Sequence, residues 1–206
     1  MFSGIIEGLG ELVSIKFKES TKKKGARVRI LWNDIDSSDI RVGDSVAVSG
    51  VCLTVIKNDE KSFESEVSKE TLDLTCGLNL PGSVNLEKAI KYSDRIGGHL
   101  ITGHVDGIAK IVSITQIESS RKIDIVVPSS YAKFISKKGS IAINGVSLTV
   151  NNVSDLKEGC LISINLIPHT WLNTSFTKLE SNSPVNFEID LIARNLYRLI
   201  KSKEII

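Results

Sequence analysis

Along much of the chain, apolar and polar residues alternate in short runs with a period of two. Ala26-Arg27-Val28-Arg29-Ile30 sends Ala26, Val28 and Ile30 to one side and two arginines to the other, the pattern of a half-buried strand whose successive side chains leave opposite faces. Ser45-Val46-Ala47-Val48, Lys122-Ile123-Asp124-Ile125-Val126-Val127 and Ser163-Ile164-Asn165-Leu166 read the same way,. Turn formers at Gly25, Gly43, Asn58-Asp59, Pro81-Gly82, Gly139 and Gly159 punctuate these runs at intervals that suit an all-β barrel or sandwich,. Two stretches depart from the strand period. A short helix is predicted after Pro128-Ser129-Ser130, with serine as cap and Tyr131 to Ile135 as the helical turn,. In the tail, Ile192, Leu196, Leu199 and Ile200 fall on one face of a helix, with Arg194, Asn195 and Arg198 largely away from it,. That stripe needs cover, either from its own barrel or from copies of itself in a bundle.

The chain repeats itself. Residues 4 to 15 (GIIEGLGELVSI) correspond to 103 to 114 (GHVDGIAKIVSI), an offset of 99, and most differences preserve side-chain character,. SVAVSGVCLTV at 45 to 55 matches SIAINGVSLTV at 140 to 150, an offset of 95, with seven of eleven positions identical. Thr71 and Thr75 echo in Thr170 and Thr174, and Val84-Asn85-Leu86-Glu87 in Val185-Asn186-Phe187-Glu188. The motifs keep their order while the offset drifts, as small loop insertions require. A chain of 206 residues suits two compact units of this kind,.

Charge narrows the partners. Lys and Arg number 26 against 24 acidic residues, a formal charge of +2, so no strong field marks nucleic acid as a partner. The cluster Lys22, Lys23, Lys24 reads as a solvated hairpin turn. Cys52, Cys76 and Cys160 are far apart and form no C-x-x-C pair, which argues against a disulfide framework or thiolate zinc site and for a reducing cytoplasm. The first residues lack the basic and long apolar regions of a signal peptide, and no apolar run is long enough to span a membrane,. The expectation is a soluble, unsecreted protein.

Candidate chemistry concentrates at the junction of the repeats. Ser93 to His104 contains two of the three histidines, His99 and His104, and glycines at 97, 98 and 103. Five positions apart, the histidines point differently in either regular element, so a shared site would need a bend. A zinc reading would combine them with Asp94 or Asp106, and no thiolate cluster supports it; a turn-satisfying His99 and a core-filling His104 are the structural alternative. Cys52 and Ser147 occupy equivalent places, each two residues before a threonine, Thr54 or Thr149. Residues two apart share a strand face, which presents a thiol or hydroxyl beside a second hydroxyl to a planar, polar heterocycle. Cys52 as a small buried filler is the alternative. No serine lies in a G-x-S-x-G elbow, and no G-x-x-x-x-G-K or G-x-G-x-x-G loop occurs,.

In order and spacing, Met1-Phe2-Ser3-Gly4-Ile5-Ile6, Gly50-Val51-Cys52-Leu53-Thr54-Val55, Gly97-Gly98-His99-Leu100 with Gly103-His104, and Asn144-Gly145-Val146-Ser147-Leu148-Thr149-Val150 resemble the riboflavin synthase family of two-barrel, lumazine-binding proteins. The likeness covers nearly the whole chain. It implies an all-β fold of two tandem six-stranded barrels plus a C-terminal α-helix, divided as 1–99, 100–190 and 191–206, and a homotrimer in which the first barrel of one subunit faces the second of its neighbour. It implies the dismutation of two 6,7-dimethyl-8-ribityllumazines to riboflavin and 5-amino-6-(D-ribitylamino)uracil, without metal or organic cofactor, and raises lumazine synthase as a further partner. By motif position it assigns a first-barrel site to Gly4, Ile5, Ile6, Cys52, Leu53, Thr54, Glu66, Val67, Ser68, Lys69, Glu70 and Thr71. The second-barrel site would take Gly103, His104, Val105, Lys138, Ser147, Leu148, Thr149, Asn165, Leu166, Ile167, Pro168, His169 and Thr170. Ser45, Cys52, His99, His104 and Ser147 become candidates for nucleophile activation and proton transfer, with Phe2 shaping the pocket. One departure stands out: Asn144 lies where some members carry an aspartate. An amide cannot act as a general base, although it could orient Ser147. A non-catalytic lumazine or flavin carrier with the same double barrel is the rival reading.

Overall fold

The computed structural model describes residues 1–17, 25–33, 35–157 and 159–203. The Lys22 to Lys24 cluster lies outside the described residues. Twelve strands form two closed antiparallel barrels. The first contains β1 (Gly8–Phe17), β2 (Ala26–Leu31), β3 (Ser45–Val48), β4 (Val51–Asn58), β5 (Ser62–Val67) and β6 (Gly82–Lys88), closed in the order β1-β2-β5-β4-β3-β6. The second contains β7 (Gly107–Ile117), β8 (Ser120–Val127), β9 (Ser140–Ile143), β10 (Val146–Leu156), β11 (Gly159–Leu166) and β12 (Pro184–Ile189), with the same connectivity. Short helices α1 (Lys69–Leu74) and α2 (Pro168–Leu172) occupy corresponding places, and α3 (Leu191–Lys203) ends the described chain. No helix among the described residues is long and apolar enough to cross a membrane.

Alternation builds each barrel. β2 has every second residue buried, with Ala26, Val28 and Ile30 inside beside Leu12, Val55 and Phe63. In the second barrel Ile111, Ile123, Ile125, Val150, Ile162 and Ile164 are fully buried. Register irregularities fall between Leu12 and Ser14 and between Val55 and Lys57, and recur between Ile111 and Ser113 and between Val150 and Asn152. They share the offsets of the sequence repeats; local bulges add the bend that helps a short sheet close.

Strands β3 and β9 depart from alternation where the barrels abut. In β3, Val46, Ala47 and Val48 are all buried: Ala47 points out of its barrel and packs with Ala142, Phe2 and Ile101 in a small apolar cluster. In β11, Ser163 is buried within its own barrel, where its hydroxyl donates to Asp124 Oδ1 of the paired strand β8 at 2.5 Å. Phe2 is fully buried, contributing about 1.5–3 kcal/mol by removal of its ring from water. Its backbone exchanges two hydrogen bonds with Ile101, at 2.8 and 3.0 Å. Because Phe2 and Ile101 are themselves 99 residues apart, the pair lies on an approximate two-fold relation between the halves.

A polar network seals the same junction. Asn85 Nδ2 donates to the Asn144 carbonyl at 2.9 Å, and Asn186 Nδ2 to the Ser49 carbonyl at 3.0 Å. Asn85 Oδ1 accepts from the Ser175 N–H, and Asn186 Oδ1 from the Cys76 N–H. Both asparagines are essentially fully buried. Orphaning any such buried group would cost about 1–3 kcal/mol, so the reciprocal bonds specify how the barrels dock.

The region after Pro128 is a 3-10 helix, Ser129–Phe134, with no side-chain cap bond, so the expected serine cap is absent. In α3, Ile192, Leu196, Leu199 and Ile200 are exposed. The helix instead sets the Tyr197 ring edge-on to Phe134, with centroids 5.0 Å apart. The apolar stripe is therefore not covered by its own barrel.

Candidate active site

The backbone approaching β1 and that approaching β7 act as exchanged leaders. Gly103 accepts from the Cys52 N–H at 2.9 Å, while Gly4 accepts from the Ser147 N–H at 2.9 Å. Both glycines have left-handed backbones, φ +79° and +78°. A Cβ on Gly103 would stand 2.5 Å from Cys52 Cβ, and one on Gly4 would stand 2.6 Å from Ser147 Cβ; only glycine allows such an approach. Beyond these contacts, Val105 packs on the first barrel's core and Ile6 on the second's. This corrects the grouping expected from chain order. Gly103, His104 and Val105 join Cys52, whereas Gly4, Ile5 and Ile6 join Ser147.

The first composite site is a cleft of ≈ 210 Å³ lined by Cys52, Glu70, Thr71, Gly103, His104 and Val105. It shares Leu74, His104 and Val105 with an adjoining cleft of ≈ 420 Å³ that continues to Glu188 and Arg194. Within β4, Cys52 is half-buried, Leu53 points into the core and Thr54 is exposed. Thr71 is oriented by α1, whose cap Ser68 accepts from the Thr71 N–H at 3.0 Å and lies 2.9 Å from its hydroxyl. Sequence periodicity missed α1 and α2, which are only six and five residues long; Ser68 as cap and Pro168 in the first turn were the available signals.

The second composite site gathers Ser147, Gly4, Ile5 and Ile6 beneath the linker. His99 Nδ1 lies 2.7 Å from Ser147 Oγ. The residue is partly exposed overall, yet its Nε2 is buried without a hydrogen-bond partner among the described residues. Burial holds the His99 pKa below its ordinary value, against the opposing pull of Asp190. A neutral ring can accept the serine proton when its tautomer places hydrogen on Nε2. A Cβ on Gly98 would meet Ser147 Oγ at 2.6 Å and the Ser3 carbonyl at 2.2 Å, so glycine lets the linker cross this surface.

The remaining expected site residues divide by position. Ser45 pairs with Thr54 in the β3/β4 ladder, and Phe2 belongs to the inter-barrel cluster. Leu148, Leu166 and Val67 are buried in the cores, with Thr149, Asn165, Ile167, Pro168 and His169 exposed and Thr170 half-buried. Glu66 is ion-paired with Arg27 at 3.0 Å, and Lys69 with Asp73. Lys138 is exposed at φ +68°, its N–H donating to Val150. His99 and His104 belong to different composite sites. Cys76 is not an activated thiol, because burial pushes its pKa up to about 11; burial also raises that of Cys160.

Asn144 has a structural place. It forms the β9/β10 turn with Gly145, at φ +47° and +81°, and matches Ser49-Gly50 at +44° and +85°. Its Oδ1 accepts from the Asn186 N–H at 2.8 Å. The side-chain amide thus ties the turn to β12 within its own barrel and is not bonded to the Ser147 hydroxyl, while the Asn144 main-chain carbonyl joins the inter-barrel network through Asn85.

A lumazine-binding domain model matches residues 3–89 and again residues 102–190. A riboflavin synthase of Photobacterium phosphoreum is 38% identical over 204 residues, covering 97% of this chain and 89% of that protein. The chain belongs to the riboflavin synthase family of lumazine-binding proteins. Another family relative, riboflavin synthase of Bacillus subtilis (strain 168), is 37% identical over 203 residues, covering 97% and 90% of the two chains. The family fold is also similar to LumP complexed with riboflavin, with TM-score 0.79 and 29% identity, covering 92% of this chain and 99% of LumP. LumP complexed with 6,7-dimethyl-8-(1'-D-ribityl) lumazine gives TM-score 0.76 at the same identity and coverage.

Proposed function

We propose that this protein is a riboflavin synthase that transfers a four-carbon unit between two 6,7-dimethyl-8-ribityllumazines, yielding riboflavin and 5-amino-6-(D-ribitylamino)uracil. The carrying observation is the pair of composite sites, each with a thiol or hydroxyl, a histidine and a glycine leader: Cys52, His104 and Gly103 in one, Ser147, His99 and Gly4 in the other. Two bound substrates require two sites. Holding both turns their encounter into a nearly unimolecular event, a contribution of about 7–11 kcal/mol in favourable cases. His99 and Ser147 form the proton-transfer pair, with Cys52 and His104 as their functional counterparts. Ser45, Thr71, Thr149, Thr170 and Lys138 supply further polar contacts, while Phe2 supports the leaders from below. The reaction uses these side chains without a metal or organic cofactor.

A homotrimer brings the first site of one subunit to the second site of its neighbour. The uncovered Ile192, Leu196, Leu199 and Ile200 stripe on α3 supports this assembly,. The rival reading, a non-catalytic carrier, draws on the similarity to ligand-bound LumP; the presence of both polar composite sites favours catalysis. Purified protein incubated with 6,7-dimethyl-8-ribityllumazine as sole substrate is expected to produce riboflavin. Tight binding with no flavin formed establishes the carrier instead.

A further inference from the structure

Two buried carboxylates, one at the end of each barrel, grip the leaders. Glu87 Oε1 accepts from the Ser3 N–H at 2.7 Å, the Ser3 hydroxyl at 2.9 Å and the Gly4 N–H at 3.1 Å, while its Oε2 lies 3.0 Å from the Gly4 nitrogen. Glu188 Oε1 accepts from the Thr102 N–H at 2.8 Å and the Thr102 hydroxyl at 2.7 Å, and Oε2 from the Gly103 N–H at 3.0 Å. Their residues are 3% and 4% exposed, which makes each arrangement a buried acceptor satisfied by main-chain and hydroxyl donors.

The direction of each grip matters. Glu87 is on β6 of the first barrel, but the Gly4 carbonyl it fixes accepts from Ser147 in the second. Glu188 is on β12 of the second barrel, but the Gly103 carbonyl it fixes accepts from Cys52 in the first. We propose that Glu87 and Glu188 are positioning residues that act across the barrel boundary, each using the terminal strand of one barrel to set the leader completing the other barrel's site. The two occurrences are internal controls for one another. Neither carboxylate needs to touch substrate; Glu188 holds the peptide beside His104, and Glu87 holds the peptide against which the linker lays His99, whose N–H donates to Ser3 O at 3.1 Å.

This inference rests on the proposed reaction for its kinetic consequence only, because leader position is measurable without turnover. Glu188→Gln replaces an acceptor oxygen with an amide group that opposes the Gly103 N–H. In the full-length protein, iodoacetamide labelling mapped by mass spectrometry is expected to show Cys52 alkylated about tenfold faster, with Cys76 and Cys160 unchanged, because the loss of a buried bond is local to the Gly103 leader. Glu87→Gln is expected to leave Cys52 labelling unchanged and instead move the His99 ring resonance, distinguishable among only three histidines. Both variants should lower kcat by about 10- to 100-fold with a smaller change in KM, because displaced reacting groups lose orientation.

If Glu188→Gln does not fold, Thr102→Val tests the hydroxyl arm and is expected to accelerate Cys52 labelling in the same direction, but less. Unchanged Cys52 labelling in a folded Glu188→Gln protein, equal acceleration at all three cysteines, or equal Cys52 acceleration by Glu87→Gln overturns crosswise positioning. Selective labelling and ring-resonance changes without any riboflavin formation by the parent protein sustain positioning and overturn the proposed catalytic function separately.

Discussion

The two composite sites share their backbone but differ in chemistry. Gly103 against Cys52 reproduces Gly4 against Ser147 in distance and conformation, yet His104 corresponds to Ile5, and Cys52 to Ser147. His99 comes from the linker and lies 2.7 Å from Ser147 Oγ, whereas His104 comes from the leader and lines the cleft beside Cys52. The repeated main-chain bonds fix the same backbone frame at both positions, while the unmatched side chains give the two positions different chemistry. Structural equivalence therefore does not imply interchangeable chemistry.

The largest change is expected on removing the linker histidine. His99→Ala should lower kcat by about 100- to 10,000-fold, and adding Ser147→Ala should produce little further loss because the two act as a unit. Steady-state kinetics on the single and double variants measures that coupling; independent, multiplicative losses contradict it. Gly4→Ala and Gly103→Ala probe the shared backbone instead. Each is expected to reduce stability by about 2–4 kcal/mol through left-handed strain and close contact, measured by urea unfolding; a silent substitution in only one half breaks the structural comparison.

Acid should expose another asymmetry. The folded-state pKa of His99 is lowered by burial, so the unfolded chain binds more protons in this range. Its stability contribution is intact above the unfolded value near 6.5 and falls as pH decreases below that value. Urea titrations should therefore show a shallower decline in His99→Gln between neutral and mildly acidic pH. A smaller effect is expected at Asp39, where hydrogen bonds from Lys91 and Lys88 lower the pKa to about 2. That contribution is present above the ordinary value near 4 and fades as pH falls towards 2. Because Asp39 is partly exposed, Asp39→Asn should alter stability at neutral pH by about 0–1 kcal/mol, measured by denaturant unfolding with and without added salt.

The double barrel was legible because the repeats carry their strand pattern and bulge positions with them. Leader exchange was not legible because sequence proximity ties Gly4 to the following first barrel, whereas its carbonyl meets Ser147 across the junction. Ala47 obscured strand alternation for a related reason: its outward face is covered by Phe2 and the other barrel. Asn144 illustrates a missed local signal. Asn-Gly fits the two positive-φ positions of a tight hairpin turn, and the equivalent Ser49-Gly50 takes the same conformation. The α3 stripe was readable from its period; its uncovered face followed only from packing in three dimensions.

The opposed hairpin tips also affect how the repeats can diverge. A Cβ on Gly50 would come within 2.7 Å of Gly145 N, and one on Gly145 within 2.8 Å of Gly50 N. In an assembly of identical single-barrel chains, one mutation at such a self-facing contact would strike both sides together. Joining the halves in one chain makes those changes separable. Neither tip has room for a side chain against the other's backbone, so both stay glycine, and the freedom falls to the flanking positions, where Ser49 and Asn144 already differ.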